Sequence, residues 1–409
     1  MAMPIRVLFV TFYYKPAYIY GGPVRSISSL CEALGGLGAH VTVFTTNANG
    51  PFRLEVPLCQ PMDVGGVSVW YFPTALNGFF YYAPELPKAL SAHISKFDVA
   101  ILEALWTYPL GPAVAACNSA RIPYVIPLRG QFLPWALEHK RLRKRIYMEL
   151  AGKRYVNGAS AFHCTDPLEA EAVARLGFHP PIFVVPNGID LSRFACMPER
   201  GHLRHRLGIR KQAIVLLFLG RLHHIKRPDI AIRTLAAAQS LAIDVHLLMA
   251  GPDEEGLIPM LQTHAKSLGC AGQLHIMGLL SPDEVLQGLA DADLLLMPSE
   301  IQESFGMSAV EAMAAGVPIL VSEGVPLGRW AEKAGAGRMV PCTVEAFTKA
   351  TLELASEPER LKVMGSRGRE LVTQQFDITV VARQMLAQYN SIVTNGHPLP
   401  EGTEDCKNK

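Results

Sequence analysis

Two glutamates, Glu303 and Glu311, stand eight positions apart where a short apolar run gives way to a helical pattern. The run, 294–297, predicts a buried strand, and the helix is predicted to open near Gly306, with Ser304 placed to cap it. The first N–H groups of that helix would face the carboxyl end of the sheet, where α/β proteins bind ligands. Carboxylates accept two hydrogen bonds each and bind pairs of sugar hydroxyls well. The plainer interpretation is a favourable interaction of both carboxylates with the helix dipole.

Arg221 and Lys226 form a second candidate site, in the loop after the apolar run 213–219. Two fixed cations at a strand end can stabilise the negative charge that grows on a departing diphosphate. The alternative is a basic loop in contact only with water, which is the interpretation we favour for the neighbouring Arg227.

The N-terminal half carries weaker candidates. Gly21 and Gly22 lie between the first predicted strand and a helix, where glycines let the backbone approach a ligand closely, although such a pair is usually only a turn. Arg129 follows another predicted strand. His163 lies within a strand and is more typical of a core histidine than of a catalytic base.

The block from Glu303 to Pro318 resembles the signature of the retaining glycosyltransferase family 4, often called group 1. It has the form Glu-x7-Glu, with Phe-Gly inside and Glu-Ala-Met-Ala-x-Gly-x-Pro after it. In that family the first glutamate contacts the transferred sugar and the second contacts the ribose, which assigns these roles to Glu303 and Glu311. The backbone that cradles the diphosphate and sugar would be that of Ser304, Phe305, Gly306 and Met307.

The loop of Arg221 and Lys226 is similar to the G-R-x4-K element with which the family holds the donor diphosphate. The resemblance also places Gly21 and Gly22 beside the donor phosphates. Many relatives have a histidine near the position of Arg129, so the resemblance makes Arg129 a catalytic candidate. His163 is the alternative for that role.

The resemblance implies a hexosyltransferase that moves a sugar from a nucleoside-diphosphate sugar to an acceptor hydroxyl with retention. The acceptor would be a saccharide or a lipid-linked molecule, in bacterial surface polysaccharide, exopolysaccharide or glycolipid biosynthesis. We expect no cofactor and no metal, since Asp291-Ala-Asp293 matches a D-x-D spacing but precedes a buried strand. Two alternatives share the fold: a sugar-nucleotide 2-epimerase and a catalytically silent nucleotide-sugar-binding protein. An epimerase would need acid and base side chains in the N-terminal half, and loss of Glu303, Arg221 or Lys226 would have favoured the silent protein.

Short apolar runs alternate with helical patterns along the whole chain, which predicts parallel sheets covered by helices on both faces. The resemblance implies the GT-B fold, in which two Rossmann-like doubly wound domains face each other across a cleft. We predict an acceptor-binding domain at 1–190 and a nucleotide-sugar-binding domain at 191–376. A closing helix at 377–394 is expected to cross back to the first domain, and we predict that 395–409 is a disordered tail. Within the joint at 186–190, Asn187 and Gly188 are expected to supply left-handed turn geometry.

The composition excludes several classes of protein. A net charge of +2 and a pI near 8.1 give no reason to expect nucleic acid. The eight cysteines are scattered without a C-x-x-C pair, which favours reduced thiols and a cytoplasmic location. The chain shows neither a signal-peptide pattern nor an apolar run long enough for a bilayer.

The segment 139–154 holds seven Lys or Arg residues interleaved with apolar residues at helical spacing. Its apolar stripe either packs on the sheet, which is the interpretation we favour, or rests with the basic residues on an anionic membrane at the inner face of the plasma membrane. That stripe consists of Leu142, Ile146, Tyr147 and Leu150.

Overall fold

The computed structural model describes residues 3–399, apart from the side chains of 77–79, and it divides the chain into two compact units. Among the described residues, the first unit comprises 3–190 and 378–399, and the second comprises 191–377. The first unit thus ends where the sequence places the domain boundary. Most of the predicted tail, residues 400–409, lies outside the described residues.

The first unit is built on an eight-stranded sheet in which all neighbours are parallel except the last pair. In sheet order the strands are Ile182–Val184, Ala161–Cys164, Tyr124–Pro127, Val99–Leu102, Arg6–Val10, His40–Thr46, Ser68–Phe72 and Pro61–Asp63. A separate hairpin pairs Ala48–Asn49 with Phe52–Arg53. The α-helices of this unit are Gly22–Gly36, Leu86–His93, Leu110–Ala120, Pro134–Glu138, Arg141–Tyr147, Lys153–Asn157, Pro167–Ala174 and Ile378–Asn395.

Both faces of this sheet are covered, as the continuous apolar strands require. Along the strand Arg6–Val10, Val7 and Phe9 point into one core cluster, whereas Leu8 and Val10 point into the other. Successive side chains of a strand lie on opposite faces, so a run that is apolar at every position is stable only between two helical layers. The predicted doubly wound architecture is confirmed.

The second unit contains a six-stranded sheet that is parallel throughout. Its strands in sheet order are Leu274–Gly278, Val245–Ala250, Ile214–Leu219, Leu294–Met297, Ile319–Ser322 and Gly337–Val340. Its α-helices are His202–Arg206, Pro228–Ser240, Ile258–Ser267, Pro282–Asp291, Met307–Ala314, Leu327–Ala334, Val344–Ala355 and Pro358–Leu371. The last strand of this series was not predicted, because Gly337 and Arg338 break its apolar pattern.

The closing helix Ile378–Asn395 belongs to the first unit, as predicted, and packs on the helix Gly22–Gly36 in one core cluster. The joint at 186–190 corrects an expectation, because neither Asn187 nor Gly188 has a positive φ. A Cβ at Gly188 would lie 2.7 Å from the Cδ1 atom of Ile378 and 3.0 Å from its Cα atom. The glycine is therefore required by the close approach of this helix and not by left-handed backbone.

Two further expectations are corrected in the first unit. The start of the predicted disordered tail is ordered: Pro398 is buried, and the amide of Leu399 donates a 2.8 Å hydrogen bond to the side chain of Gln388. The apolar stripe of 139–154 does not pack on the sheet at Leu142 and Leu150, which are 71% and 82% exposed. Within residues 3–399, none of the helices combines the length and the apolar character needed to cross a bilayer.

Candidate functional site

The glutamate-bearing loop of the second unit leads from the strand Leu294–Met297 into the helix Met307–Ala314. The N-cap of this helix is Gly306, at φ 105°, and a Cβ there would lie 2.8 Å from the Cγ1 atom of Val325. Only glycine fits this backbone without strain. Ser304 is not the cap, so that expectation was wrong.

Glu303 and Lys226 form an ion pair in which each side chain is about 15% exposed. The same carboxylate accepts a 2.6 Å hydrogen bond from the hydroxyl of Ser299, which is buried, while the Glu303 amide donates to the carbonyl of Gly324 at 2.7 Å. The structure thus brings together two residues that the sequence assigned to different parts of a donor. Ser299 was not identified from the sequence, since an isolated serine after a strand carries no distinctive pattern.

Arg221 lies in the same loop as Lys226, and its guanidinium donates a 2.6 Å hydrogen bond to Glu254. Both side chains are nearly half exposed, at 48% and 43%. The pair is possible because two strand-end loops meet: a Cβ at Gly251 would lie only 1.8 Å from the carbonyl oxygen of Gly220. Glu254 was missed, because nothing in a local pattern reports the approach of these two loops.

His223 and His224 stack on each other at 4.4 Å and converge on Glu255. Among the described residues, these three form the only group of three or more possible metal ligands. The Nδ1 atom of His223 accepts from the amide of Ile225, which leaves its hydrogen on Nε2, the atom that faces Glu255 at 3.2 Å. Hydrogen bonds therefore satisfy these side chains, and they connect the loop of His223 and His224 to the loop of Glu255.

The sequence also singled out Glu311, Phe305 and Asp291 in the second unit, and the structure gives them different surroundings. The carboxylate of Glu311 lies 3.9 Å from Arg193, which sequence reasoning did not identify. Phe305 is fully buried and packs on Phe376, so only its backbone is available to a ligand. Asp291 is buried and accepts hydrogen bonds from the backbone amides that begin the helix His202–Arg206.

Asp293 pairs with Arg204 at 2.7 Å and accepts from the amide of Val215 at 2.8 Å. Both carboxylates of the D-x-D pattern thus stabilise the unit internally.

In the first unit Arg129 is held by several partners at the carboxyl edge of the sheet. Its guanidinium donates to both oxygens of Glu103, at 3.0 and 3.2 Å, and to the amide oxygen of Asn187 at 2.7 Å. The Arg129 and Glu103 side chains are only 11% and 1% exposed. Burial opposes the charge of Arg129, but Glu103 outweighs it, and the pKa of the guanidinium is raised.

Arg129 has φ +44° and is followed by Gly130 at φ +78°, so the backbone makes a sharp turn here. The left-handed backbone of Arg129 is strained, and the buried contacts of its side chain stabilise it. The Gly130 amide donates to Glu169, which also accepts from the amide of Thr165 at 2.8 Å. Burial raises the pKa of the Glu169 carboxyl despite these bonds. Glu103 and Glu169 were not identified from the sequence, because each looks like an ordinary acidic residue near a strand end.

His163 is 2% exposed, and its Nε2 atom bonds the carbonyl of Val185 at 2.8 Å. Burial and the nearby charge of Arg129 lower the pKa of this imidazole to about 3. The ring stacks on Phe183 at 5.2 Å. A neutral, packed ring of this kind fits the core-histidine interpretation.

Gly21 is the N-cap of the helix Gly22–Gly36, at φ 73°, and both Gly21 and Gly22 are exposed with open space around their Cα atoms. Ser26 of the same helix lies 3.5 Å from the guanidinium of Arg129, so these N-terminal candidates share one neighbourhood. An aromatic cluster next to Gly21 was not predicted, although a Phe-Tyr-Tyr run follows the first strand. It consists of Phe12, Tyr13, Tyr20 and Tyr81.

Comparison with known proteins bears on both units. Residues 199–371 match the family described as "Glycosyl transferases group 1", and residues 20–193 match "Glycosyltransferase Family 4". A D-inositol 3-phosphate glycosyltransferase from Rhodococcus jostii is 33% identical over 222 residues. That match spans 52% of this chain and 48% of the relative, about half of each.

Two solved structures share the fold along nearly the whole chain. Anabaena HepE in complex with UDP-glucose has a TM-score of 0.74 at 21% identity, covering 95% of this chain and 99% of its own. WaaG, a glycosyltransferase involved in lipopolysaccharide biosynthesis, has a TM-score of 0.69 at 20% identity, covering 95% and 100%. The two family matches and this shared GT-B fold confirm the resemblance seen in the sequence, and the chain belongs to glycosyltransferase family 4.

Proposed function

We propose that this chain transfers a hexose-type sugar from a nucleoside-diphosphate sugar to an acceptor hydroxyl. The observation that carries the proposal is the ion pair of Lys226 with Glu303, beside the helix that begins after Gly306. A cation, a carboxylate and helix N–H groups at two neighbouring strand ends supply the contacts that a diphosphate and a sugar require. Membership of the family supports the same assignment.

The pairs in this unit suggest how the donor is accepted. Lys226 turns from Glu303 to the diphosphate, and Arg221 turns from Glu254, so that both cations stabilise the leaving group as its charge grows. Glu303 is thereby released to accept hydrogen bonds from sugar hydroxyls. Glu311 would bind the ribose, and the backbone of 304–307 would cradle the diphosphate.

We propose retention of the anomeric configuration by front-face attack, in which the departing phosphate helps to take the acceptor proton. Glu303 is engaged with sugar hydroxyls in this scheme and does not act as a nucleophile. Arg129 would act at the acceptor side of the first unit, and Gly21 and Gly22 would lie beside the donor phosphates. Because Arg221, Lys226 and the helix N-terminus supply the positive charge, turnover is proposed to need no metal and no cofactor.

UDP-glucose is the first donor to test, since HepE is a fold neighbour known in complex with it. The acceptor is proposed to be a saccharide or a lipid-linked molecule in bacterial surface polysaccharide, exopolysaccharide or glycolipid biosynthesis. The name of WaaG, a glycosyltransferase involved in lipopolysaccharide biosynthesis, supports this range of acceptors. We propose a cytoplasmic location.

Release of nucleoside diphosphate, measured across a panel of donors with and without acceptor, tests this proposal. Release that rises with acceptor and persists in EDTA is expected. Isomerised nucleotide sugar without transfer would favour the epimerase, and donor binding without any turnover would favour the silent binding protein.

A further inference from the structure

The helical segment that follows the Arg129 loop carries a surface that the transferase proposal does not use. It runs through Arg141–Tyr147, a π-helical turn at Met148–Gly152 and Lys153–Asn157. We call the outward face of residues 140–154 the basic ridge. Its exposed cations are Lys140, Arg141, Arg143, Arg145, Lys153 and Arg154.

The inner face of this segment fixes which side chains point outward. Gly152 and Val156 are buried, and the hydroxyl of Tyr147 donates to the carbonyl of Leu105 at 3.1 Å. Lys144 turns inward, with its ammonium 5.0 Å from the centre of the Trp106 ring, and burial lowers its pKa. The segment therefore packs on the first unit through its inner face, and the outward residues of the basic ridge are exposed to solvent.

Three large apolar side chains stand among the outward cations at helical spacing. Leu142 is 71% exposed, Ile146 is 49% exposed and Leu150 is 82% exposed. Trp135, in the preceding helix, is 37% exposed. Scattered exposed leucines are common, but apolar residues four positions apart on one helical face form a continuous strip.

We infer that the basic ridge docks on the surface of an anionic lipid bilayer. The apolar strip would enter the region between headgroups and acyl chains, while the arginine and lysine side chains reach the lipid phosphates. Within residues 135–157 the acidic residues are Glu138, which is exposed, and Glu149, whose pKa is lowered by Lys153. The net charge of the face is thus strongly positive, and this complementarity selects the partner.

Two other occupants fit less well. A second copy of the chain in a two-fold dimer would place the same cations opposite one another, which is repulsive. A nucleic acid would use the cations but would leave the apolar strip of Leu142, Ile146 and Leu150 exposed, since it favours aromatic side chains for stacking. An anionic bilayer uses both features at once.

The docking surface itself is independent of the proposed activity, but one consequence rests on it. Because the ridge belongs to the unit proposed to bind the acceptor, docking presents that unit to molecules carried in the membrane. The acceptor class favoured by the structure is then the lipid-linked one.

Co-sedimentation of the full chain with vesicles tests the inference. Binding is expected to vesicles of phosphatidylcholine with phosphatidylglycerol, and to be at least tenfold weaker to pure phosphatidylcholine. The double variant L142Q/L150Q should weaken binding to anionic vesicles about tenfold or more, because it removes the inserted apolar strip. The triple variant R141Q/R143Q/R145Q should weaken it by about fivefold for each charge removed.

Matched controls change the same residue types elsewhere. Leu241 and Leu279 of the second unit are 61% and 77% exposed, so L241Q/L279Q should leave vesicle binding unchanged. Circular dichroism of each variant checks the fold, and release of nucleoside diphosphate with a soluble acceptor checks the activity separately. Equal binding to both vesicle types, equal losses in the ridge and control variants, or self-association abolished by L142Q/L150Q would overturn the inference.

Discussion

Each of the two units places an arginine shortly after a parallel strand, but the surroundings of the two arginines are opposite. Arg221 is 48% exposed and meets one half-exposed carboxylate, Glu254. Arg129 is 11% exposed and is bound by Glu103 and Asn187 together. A cation with one accessible partner can exchange it for a diphosphate at small cost, whereas a buried cation with several partners cannot leave without exposing unpaired charge. The second unit therefore holds in Arg221 a group ready to bind, and the first holds Arg129 in a rigid support at the proposed acceptor side.

The largest effect should come from breaking that support. Glu103→Ala leaves the buried guanidinium of Arg129 without its carboxylate, so the free energy of unfolding should fall by about 3–5 kcal/mol. Urea denaturation measures this change. The matched control is Asp98→Asn, which breaks the more exposed pair with Arg6 and should cost about 1 kcal/mol or less. Equal losses in the two variants would show that Arg129 is not a structural anchor.

Lys226→Ala tests the proposed donor-binding side of the comparison. Loss of a cation that stabilises the leaving group should lower turnover about 100- to 1000-fold. The free energy of unfolding should fall less than in Glu103→Ala, because the hydroxyl of Ser299 still donates to the Glu303 carboxylate. Steady-state release of nucleoside diphosphate and thermal unfolding measure the two quantities. Lys266→Ala, an exposed lysine of the helix Ile258–Ser267, is the control and should match the wild-type protein. If a loss of stability accounted for the lost turnover, Lys226 would be a structural residue and not a donor-binding one.

Arg221→Ala should weaken donor binding by about 1.5–3 kcal/mol, the range for one hydrogen bond to a charged group. Arg227 provides the comparison, because both of its hydrogen bonds to Asp229, at 2.9 Å, lie within the start of one helix. Arg227→Ala should change donor affinity by less than about threefold. Calorimetry with UDP-glucose measures both variants, and a larger effect at Arg227 would reverse the assignment.

A smaller effect concerns pH. The pKa of His163 is about 3 in the folded chain and near 6.5 when unfolded, so the unfolded state binds more protons between these values. Stability is therefore fully present above the unfolded pKa and falls as pH drops from about 6.5 toward 3, by up to ~1.4 kcal/mol per pH unit. Urea denaturation at pH 7, 6 and 5 measures the slope, which should be smaller in His163→Gln. An unchanged slope would mean that His163 is not the group that titrates.

The sequence predicts the parallel strands well. Neighbouring apolar residues such as Leu8 and Phe9 lie on opposite faces of the sheet, so both faces must be buried. It predicts Glu303, Lys226 and Arg221 as candidates through their motifs. It does not predict the pair of Lys226 with Glu303, since 77 positions separate them and only the sheet brings their loops together.

Glu103 and Glu254 were missed for the same reason: each becomes informative only beside its arginine. The exposed Leu142 and Leu150 were expected to pack on the sheet. Helical spacing alone does not say which face packs, and here Gly152 and Val156 take the inner face.

The central claim is that Glu303 holds Lys226 only until the donor arrives. The most direct measurement is the affinity of Glu303→Gln for UDP by calorimetry, beside its turnover with UDP-glucose. Removing the competing carboxylate should leave UDP binding as tight as in the wild-type protein or a few-fold tighter, while turnover falls about 100-fold or more. Glu300→Gln, three positions earlier and exposed, is the control and should change neither quantity. Parallel loss of UDP affinity and turnover in Glu303→Gln would contradict the account.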